Sequence, residues 1–370
     1  MVLKYGNEIN EIEEEQAERT WFKPGAEFLV MFLILILILG GVAARASTKS
    51  IVISESVRGV SSESMFDEDV ITDWSIIPVS AKSTDKAIYV PIPIMARPEN
   101  ISVENYYQDH TLFIRIKGAH AASFEEATIT GATSHVLTAA FREYGGEVRI
   151  SLLMDGIWDF NISQENTQLV IEPFKADERY ENTVVLVAKQ PETEGAPETA
   201  YITSDVAEMA ADLMSNLQIS AMQDEGNAEN TDDISTRIYV AQYRGDDEVL
   251  NFIKEADADI VVFLNTLESD DPTAYGMSAY YNGNYFIPEL DNGYLAEAFL
   301  RNMATSASNK AIAIESAGED SILNMLEIPA AEITIGYTSN PTEGRYLCEE
   351  KYQRTIAEGI INAIKEVMKK

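Results

Sequence analysis

Ile328-Pro329-Ala330-Ala331-Glu332-Ile333-Thr334-Ile335-Gly336-Tyr337-Thr338-Ser339-Asn340 is the stretch from which the fold of this chain is read. As a strand it places Glu332 and Thr334 on one side, because strand side chains repeat every two residues. The apolar runs around it extend the pattern. Thr183-Val184-Val185-Leu186-Val187 and Ile260-Val261-Val262-Phe263-Leu264 are continuous apolar stretches, as expected for strands covered on both faces. Val206, Met209, Ala210, Leu213 and Leu217 recur at helical spacing, as do Ile356, Ile360, Ile361, Ile364 and Val367. Shorter helical signals lie at Val249, Leu250 and Phe252-Ile253, and at Leu295, Phe299 and Leu300. Strands alternating with helices predict a layered α/β domain with a mostly parallel sheet over residues 182–370.

Upstream the texture changes. Leu112, Ile114 and Ile116 alternate with polar or charged positions, as do Val148, Ile150 and Leu152. Turn residues at Gly145-Gly146 and Asp155-Gly156 separate such runs, so residues 87–175 predict a small all-β sandwich. Residues 45–86, rich in Ser, Thr, Asp and Glu, read as a linker with one short ordered piece around Trp74-Ser75-Ile76-Ile77-Pro78. Phe28 to Ala44 are uncharged and mostly Leu, Ile, Val and Phe, near the lower length limit for a spanning helix. Trp21 and Phe22 stand where an interfacial aromatic anchor belongs. Ala44-Arg45-Ala46 has the form of a signal-peptide cleavage site, but residues 1–27 carry seven acidic and three basic residues, unlike a short basic leader. The reading is therefore an uncleaved single-pass anchor. Basic residues balance on its two sides, so charge does not orient it, and the cytoplasmic placement of residues 1–27 is only what the resemblance given below implies.

Charge and cysteine count narrow the function classes. The net charge is −34, of which −30 lies beyond residue 27. That disfavours nucleic acid, whose binding rests on neutralising phosphates with Lys and Arg. Cys348 is the single cysteine, which excludes an intramolecular disulfide; it reads as a small buried residue beside the last helix. The acidic tract Asp224 to Asp233 lacks the ligand order of an EF-hand loop and reads as a solvated surface loop. No serine sits in a G-x-S-x-G elbow.

The opening stretch resembles the end of the zinc-dependent N-acetylmuramoyl-L-alanine amidases, whose corresponding strand reads roughly iPavLvEvGFlSN. Ser339-Asn340-Pro341-Thr342-Glu343 resembles the family's SNpeE turn, and Tyr352 to Ile360 its yq.kiA.gI helix. Ile234-Ser235-Thr236-Arg237 with Ala241 is similar to L-x-x-R-x-x-x-A-N. Ala258-Asp259-Ile260-Val261-Val262 is similar to the aDlfv strand, and Gly276 to Tyr281 to GvevYy. The β region, by its position and strand texture, resembles the AMIN module found ahead of many such domains.

The resemblance implies a zinc ion held by His, Glu and His, with a glutamate as acid/base. Here those positions hold Gln190, Thr199, Asn265 and Thr334. Neutral amides are poor zinc partners beside imidazole or carboxylate. A threonine hydroxyl cannot take a proton from a metal-bound water near neutral pH. The chain's three histidines, His110, His120 and His135, all lie in the β region. A carboxylate-built site would have to draw on Glu198, Glu268 and Glu332. The expectation is a catalytically inactive pseudo-amidase without a cofactor, anchored in the cell membrane with its C-terminal domains outside. It would bind peptidoglycan or other envelope proteins. The alternatives are an active peptidoglycan amidase with a rebuilt zinc site, or a structural protein of a division or sporulation assembly.

Overall fold

Two β-sheets and a third, helix-flanked sheet carry the described chain. The computed structural model describes residues 53–55, 74–81, 85–189, 201–223, 235–285, 287–288 and 290–369. The span 28–44, the segment before it and the acidic tract 224–233 lie outside them. No helix among the described residues is long and apolar enough to cross a membrane.

The β module is built from β1 (Ile53–Glu55), β2 (Ser75–Ile76), β3 (Val79–Ala81), β4 (Ile88–Pro91), β5 (Ile101–Tyr106), β6 (Thr111–Lys117), β7 (Ile129–Gly131), β8 (Val136–Tyr144), β9 (Glu147–Met154), β10 (Asp159–Glu165) and β11 (Gln168–Phe174). One sheet has the order β1-β5-β6-β9-β8-β2 and the other β10-β11-β4-β7-β3. Their inner faces share one core. Leu112, Ile114, Ile116, Val148, Ile150 and Leu152 meet Ile88, Val90, Leu169 and Ile171, as the period-two alternation requires. The stretch read as a linker supplies strands to both sheets: β2 pairs with β8 and β3 with β7. Strands of two or three residues are too short to show an alternation in sequence.

The α/β domain follows as β12 (Asn182–Ala188), α1 (Ile202–Gln223), β13 (Thr236–Gln242), α2 (Asp246–Glu255), β14 (Ile260–Leu267), β15 (Met277–Tyr281), α3 (Asn292–Ser306), β16 (Ala311–Ser316), β17 (Ala330–Tyr337), α4 (Glu343–Leu347) and α5 (Glu350–Val367). The sheet order is β13-β12-β14-β17-β15-β16. All its pairings are parallel except β15 with β17. One face packs Leu186, Val262, Ile333 and Ile335 against α1, α3 and α5. Each isoleucine that α5 buries there stabilises by about 1.5–3 kcal/mol relative to exposure. Gly359 lets α5 lie against α3, since a Cβ there would meet the Met303 Cα at 2.5 Å. Gly336, in the opening stretch, has φ +151, and a Cβ on it would press the Glu343 carboxyl at 2.9 Å.

The other face packs Val185, Val187, Tyr239 and Phe263 against α2 and against Tyr107, Ile157 and Ala176 of the β module. The two domains therefore share a core. The edge of β13 is closed by a side chain: Gln108 Nε2 donates to the Gln242 carbonyl, and Gln242 N–H donates to Gln108 Oε1, both at 2.8 Å. Cys348 is exposed rather than buried, because it falls in the surface turn between α4 and α5.

Candidate functional site

The register of three adjacent strands assembles the site. Asn265 on β14, Thr334 on β17 and Ser278 on β15 are cross-strand partners in one row. Phe263, Glu332 and Tyr280 form the next row. Because Ile333 and Ile335 point into the helical core, Glu332 and Thr334 share the opposite face. The side-by-side placement expected for those two residues is what the strand shows.

Glu332 is the charged centre. Its Oε2 accepts from Lys189 Nζ at 2.8 Å and its Oε1 from Asn265 Nδ2 at 3.1 Å. Both members of the ion pair are largely sheltered, with side-chain exposures of 22% for Lys189 and 13% for Glu332. Lys189 stands at the end of β12. Its N–H donates to the Leu264 carbonyl at 2.8 Å, and its carbonyl accepts from Thr203 Oγ1 at 2.9 Å. The ammonium also lies 5.3 Å from the Tyr243 ring centroid and 5.7 Å from that of Phe263. An ammonium between a carboxylate and two aromatic faces is well placed as a fixed internal cation. Beside it, Thr334 is fully buried, and neither its hydroxyl nor that of Ser278 has a hydrogen-bond partner.

Residues 193–366 match the N-acetylmuramoyl-L-alanine amidase family. Solved structures similar to this chain include the N-acetylmuramoyl-L-alanine amidase from Clostridium difficile 630, at 17% identity and a TM-score of 0.40, covering 51% of this chain and 97% of that one. The catalytic domain of CwlV, the amidase from Bacillus (Paenibacillus) polymyxa var. colistinus, is 19% identical with a TM-score of 0.37, covering 51% and 98%. The amidase AmiC2 of Nostoc punctiforme is 16% identical with a TM-score of 0.39, covering 50% and 98%. No curated protein matches the chain.

Within this amidase-like domain, Asn265, Glu332 and Thr334 come together, while Gln190, Glu198 and Thr199 lie outside the described residues. Glu268 is exposed just past β14. Among the described residues no three His, Cys, Asp or Glu side chains gather as a metal site. Among the described residues, the donors that meet are one amide, the buried hydroxyls of Thr334 and Ser278, and one carboxylate already facing an ammonium. That set does not fit a zinc ion, which takes imidazole, thiolate or carboxylate donors.

The histidines are placed elsewhere, each on a carboxylate. His110 is 3.0 Å from Glu255, His120 3.1 Å from Glu143 and His135 3.0 Å from Asp155. The Ala121 N–H and then His120 hold the Glu143 carboxyl below its usual range. Burial works to raise Asp155, but hydrogen bonds from His135 and Trp158 outweigh it and leave it lowered.

Two functional placements escaped the sequence reading. Lys189 was visible only as the neighbour of a ligand position, although a lysine ending a buried apolar strand signals a buried partner. Arg237, the arginine of the L-x-x-R match, is committed to the domain boundary rather than to Glu332. It reaches Asp159 of the β module, with Nη2 2.8 Å from Oδ1 and Nε 3.0 Å from Oδ2.

Proposed function

We propose that this chain is a membrane-anchored cell-envelope protein whose amidase-like domain is catalytically silent and serves to bind peptidoglycan or to scaffold proteins that remodel it. One observation carries the reading: Glu332 is occupied by Lys189 and Asn265, beside a threonine where the amidase strand has its acid/base glutamate. Amidases of this family hydrolyse the muramoyl–L-alanine amide with a zinc-bound water. In this reading the Lys189 ammonium answers the Glu332 charge, and an ammonium, unlike a metal ion, offers no activated water for attack. The span at residues 28–44 would hold the chain in the cell membrane with both folded domains outside, and the AMIN-like β module would help position it. Neither zinc nor another cofactor is required for binding.

The test is metal content and zymography on the full chain, purified in detergent, with retention on isolated cell-wall sacculi measured in parallel. Retention without bound zinc and without release of peptide stems is the expected result. One zinc per chain together with chelator-sensitive release of stems would overturn the silent reading. Glu198 and Glu332 would then be the first residues to substitute. Absence of retention would overturn wall binding and leave a protein-facing role.

A further inference from the structure

On the helical side of the α/β sheet, away from Glu332, a cleft of about 530 Å³ opens between the start of β15, the C-terminal end of α3, α4 and the N-terminal end of α5. Its volume falls within the range of about 300–1,000 Å³ typical of small-molecule sites. Three tyrosines line it. Tyr275 and Tyr346 are 52% and 41% exposed, while Tyr352 is partly buried. The Tyr346 and Tyr352 rings lie 5.8 Å apart with a 35° tilt.

The polar lining is amide and hydroxyl groups around one buried carboxylate. Glu343 is buried, and its carboxylate is used up by the N–H groups of Gly276 at 3.0 Å and Tyr337 at 2.8 Å and by Asn309 Nδ2 at 2.7 Å. Asn309 also donates to the Tyr352 hydroxyl at 2.9 Å, and Thr342 adds a hydroxyl at the wall. Outside, Lys310 stands 5.6 Å from the Tyr275 ring centroid and Arg345 5.2 Å from that of Tyr346.

These features select among ligand classes. A cationic ligand would find the Glu343 carboxylate already engaged by three donors and would face Lys310 and Arg345 at the rim. A nucleotide brings phosphate to a chain with a net charge of −34. A peptide that docks on tyrosine faces lies as an extended segment along a groove, whereas this lining is a compact set of nine residues where four elements meet. An uncharged ring with a C–H face and several hydroxyls suits aromatic faces bordered by amide and hydroxyl groups. We propose that this tyrosine cleft is a saccharide-binding site that takes a neutral pyranose ring. The cleft is argued from its own lining; it rests on the wall-binding reading only for the source of the sugar, an N-acetylhexosamine of the wall glycan.

The experiment is calorimetric titration of the full chain, in a detergent without a sugar headgroup, with N-acetylglucosamine trimer and separately with maltotriose. Tyr346→Ala and Tyr275→Ala test the cleft, and Tyr144→Ala, an exposed tyrosine on the β module, is the control. Melting curves confirm that each variant folds. Saturable binding of the trimer is expected, weakened about tenfold in either cleft variant and unchanged in the control. Equal binding of maltotriose keeps the pyranose site but removes the amino-sugar source. No saturable binding of either sugar, or cleft variants that bind like the parent, would overturn the proposal. Sacculus retention without trimer binding removes the cleft and leaves wall binding standing. Trimer binding lost in the cleft variants, without sacculus retention, does the reverse.

Discussion

Two polar clusters lie on the same face of the α/β sheet, and they are built in opposite ways. At the domain boundary, Arg237 and Asp159 are each 7% exposed and form a closed network. Asp159 accepts from Tyr107 and Tyr239, both at 2.9 Å, and Arg237 also donates to Tyr107 and to the Ile238 carbonyl. Burial, and then the Asp159 charge, pushes the Tyr239 phenol up, so it stays a donor. At the site, by contrast, Glu332 accepts from one largely sheltered ammonium and one amide, while Thr334 and Ser278 keep buried hydroxyls without partners. The first cluster joins Tyr107 and Asp159 of the β module to Arg237 and Tyr239 of the α/β domain and so holds the two in one arrangement. The second joins three strands through Glu332 but leaves the buried hydroxyls of Thr334 and Ser278 unpaired, the kind of local inconsistency expected where a surface is shaped for more than folding.

The largest effect should come from breaking the closed network. Asp159→Asn leaves the Arg237 guanidinium buried without a counter-charge and should cost about 3–5 kcal/mol. Because the pair ties the β module to the α/β domain, denaturant unfolding followed by near-ultraviolet circular dichroism should then separate into two transitions. The double variant Asp159→Leu with Arg237→Met removes both charges and should recover most of the loss. A single transition with an unchanged midpoint in Asp159→Asn would show that the domains are held by the shared apolar core alone.

The opposite sign is expected at the site. Thr334→Val replaces a fully buried, unpartnered hydroxyl by a methyl group of nearly the same shape, and should stabilise the protein by about 1 kcal/mol. The gain is read as a shift in the urea midpoint at constant slope. A loss of similar size would mean that the hydroxyl has a role in the fold, and the contrast between the two clusters would weaken.

That contrast was only partly legible in the sequence. The continuous apolar runs at Val184–Val187 and Ile260–Leu264 mark doubly covered strands, and the 3.6-residue recurrence at Ile356, Ile360 and Ile364 marks α5, because burial dictates those patterns. The strand of Glu332 and Thr334 likewise fixes their common face. Two pairings were invisible. Lys189 meets Glu332 across 143 residues, and Arg237 meets Asp159 across 78, and no local pattern encodes a partner at such separation. β16 was also hidden, since Ala311–Ser316 is an exposed edge strand with neither face buried and carries no alternation to find.

A smaller test uses a polar cluster that is satisfied but solvated. Glu366 on α5 accepts from Arg301, from Asn302 Nδ2 at 2.8 Å and from Tyr294 at 3.1 Å, joining α5 to α3. The Arg301 hydrogen bond, and then that of Asn302, pulls its carboxyl from the ordinary 4.5 down to about 2. A carboxyl whose folded value is depressed stabilises fully above its unfolded value and loses that stability as pH falls through the folded one. The contribution of Glu366 is therefore present above about pH 4.5 and fades toward pH 2. Since the side chain is one-third exposed, the effect should not exceed about 1 kcal/mol. Urea midpoints of the parent and Glu366→Gln should differ near neutral pH and converge as the pH is lowered through that window. A difference that stays constant with pH would assign the effect to packing between α3 and α5 rather than to charge. Network closure alone would then not set the strength of such a cluster, and burial, which separates Arg237–Asp159 from Arg301–Glu366, would be the controlling variable.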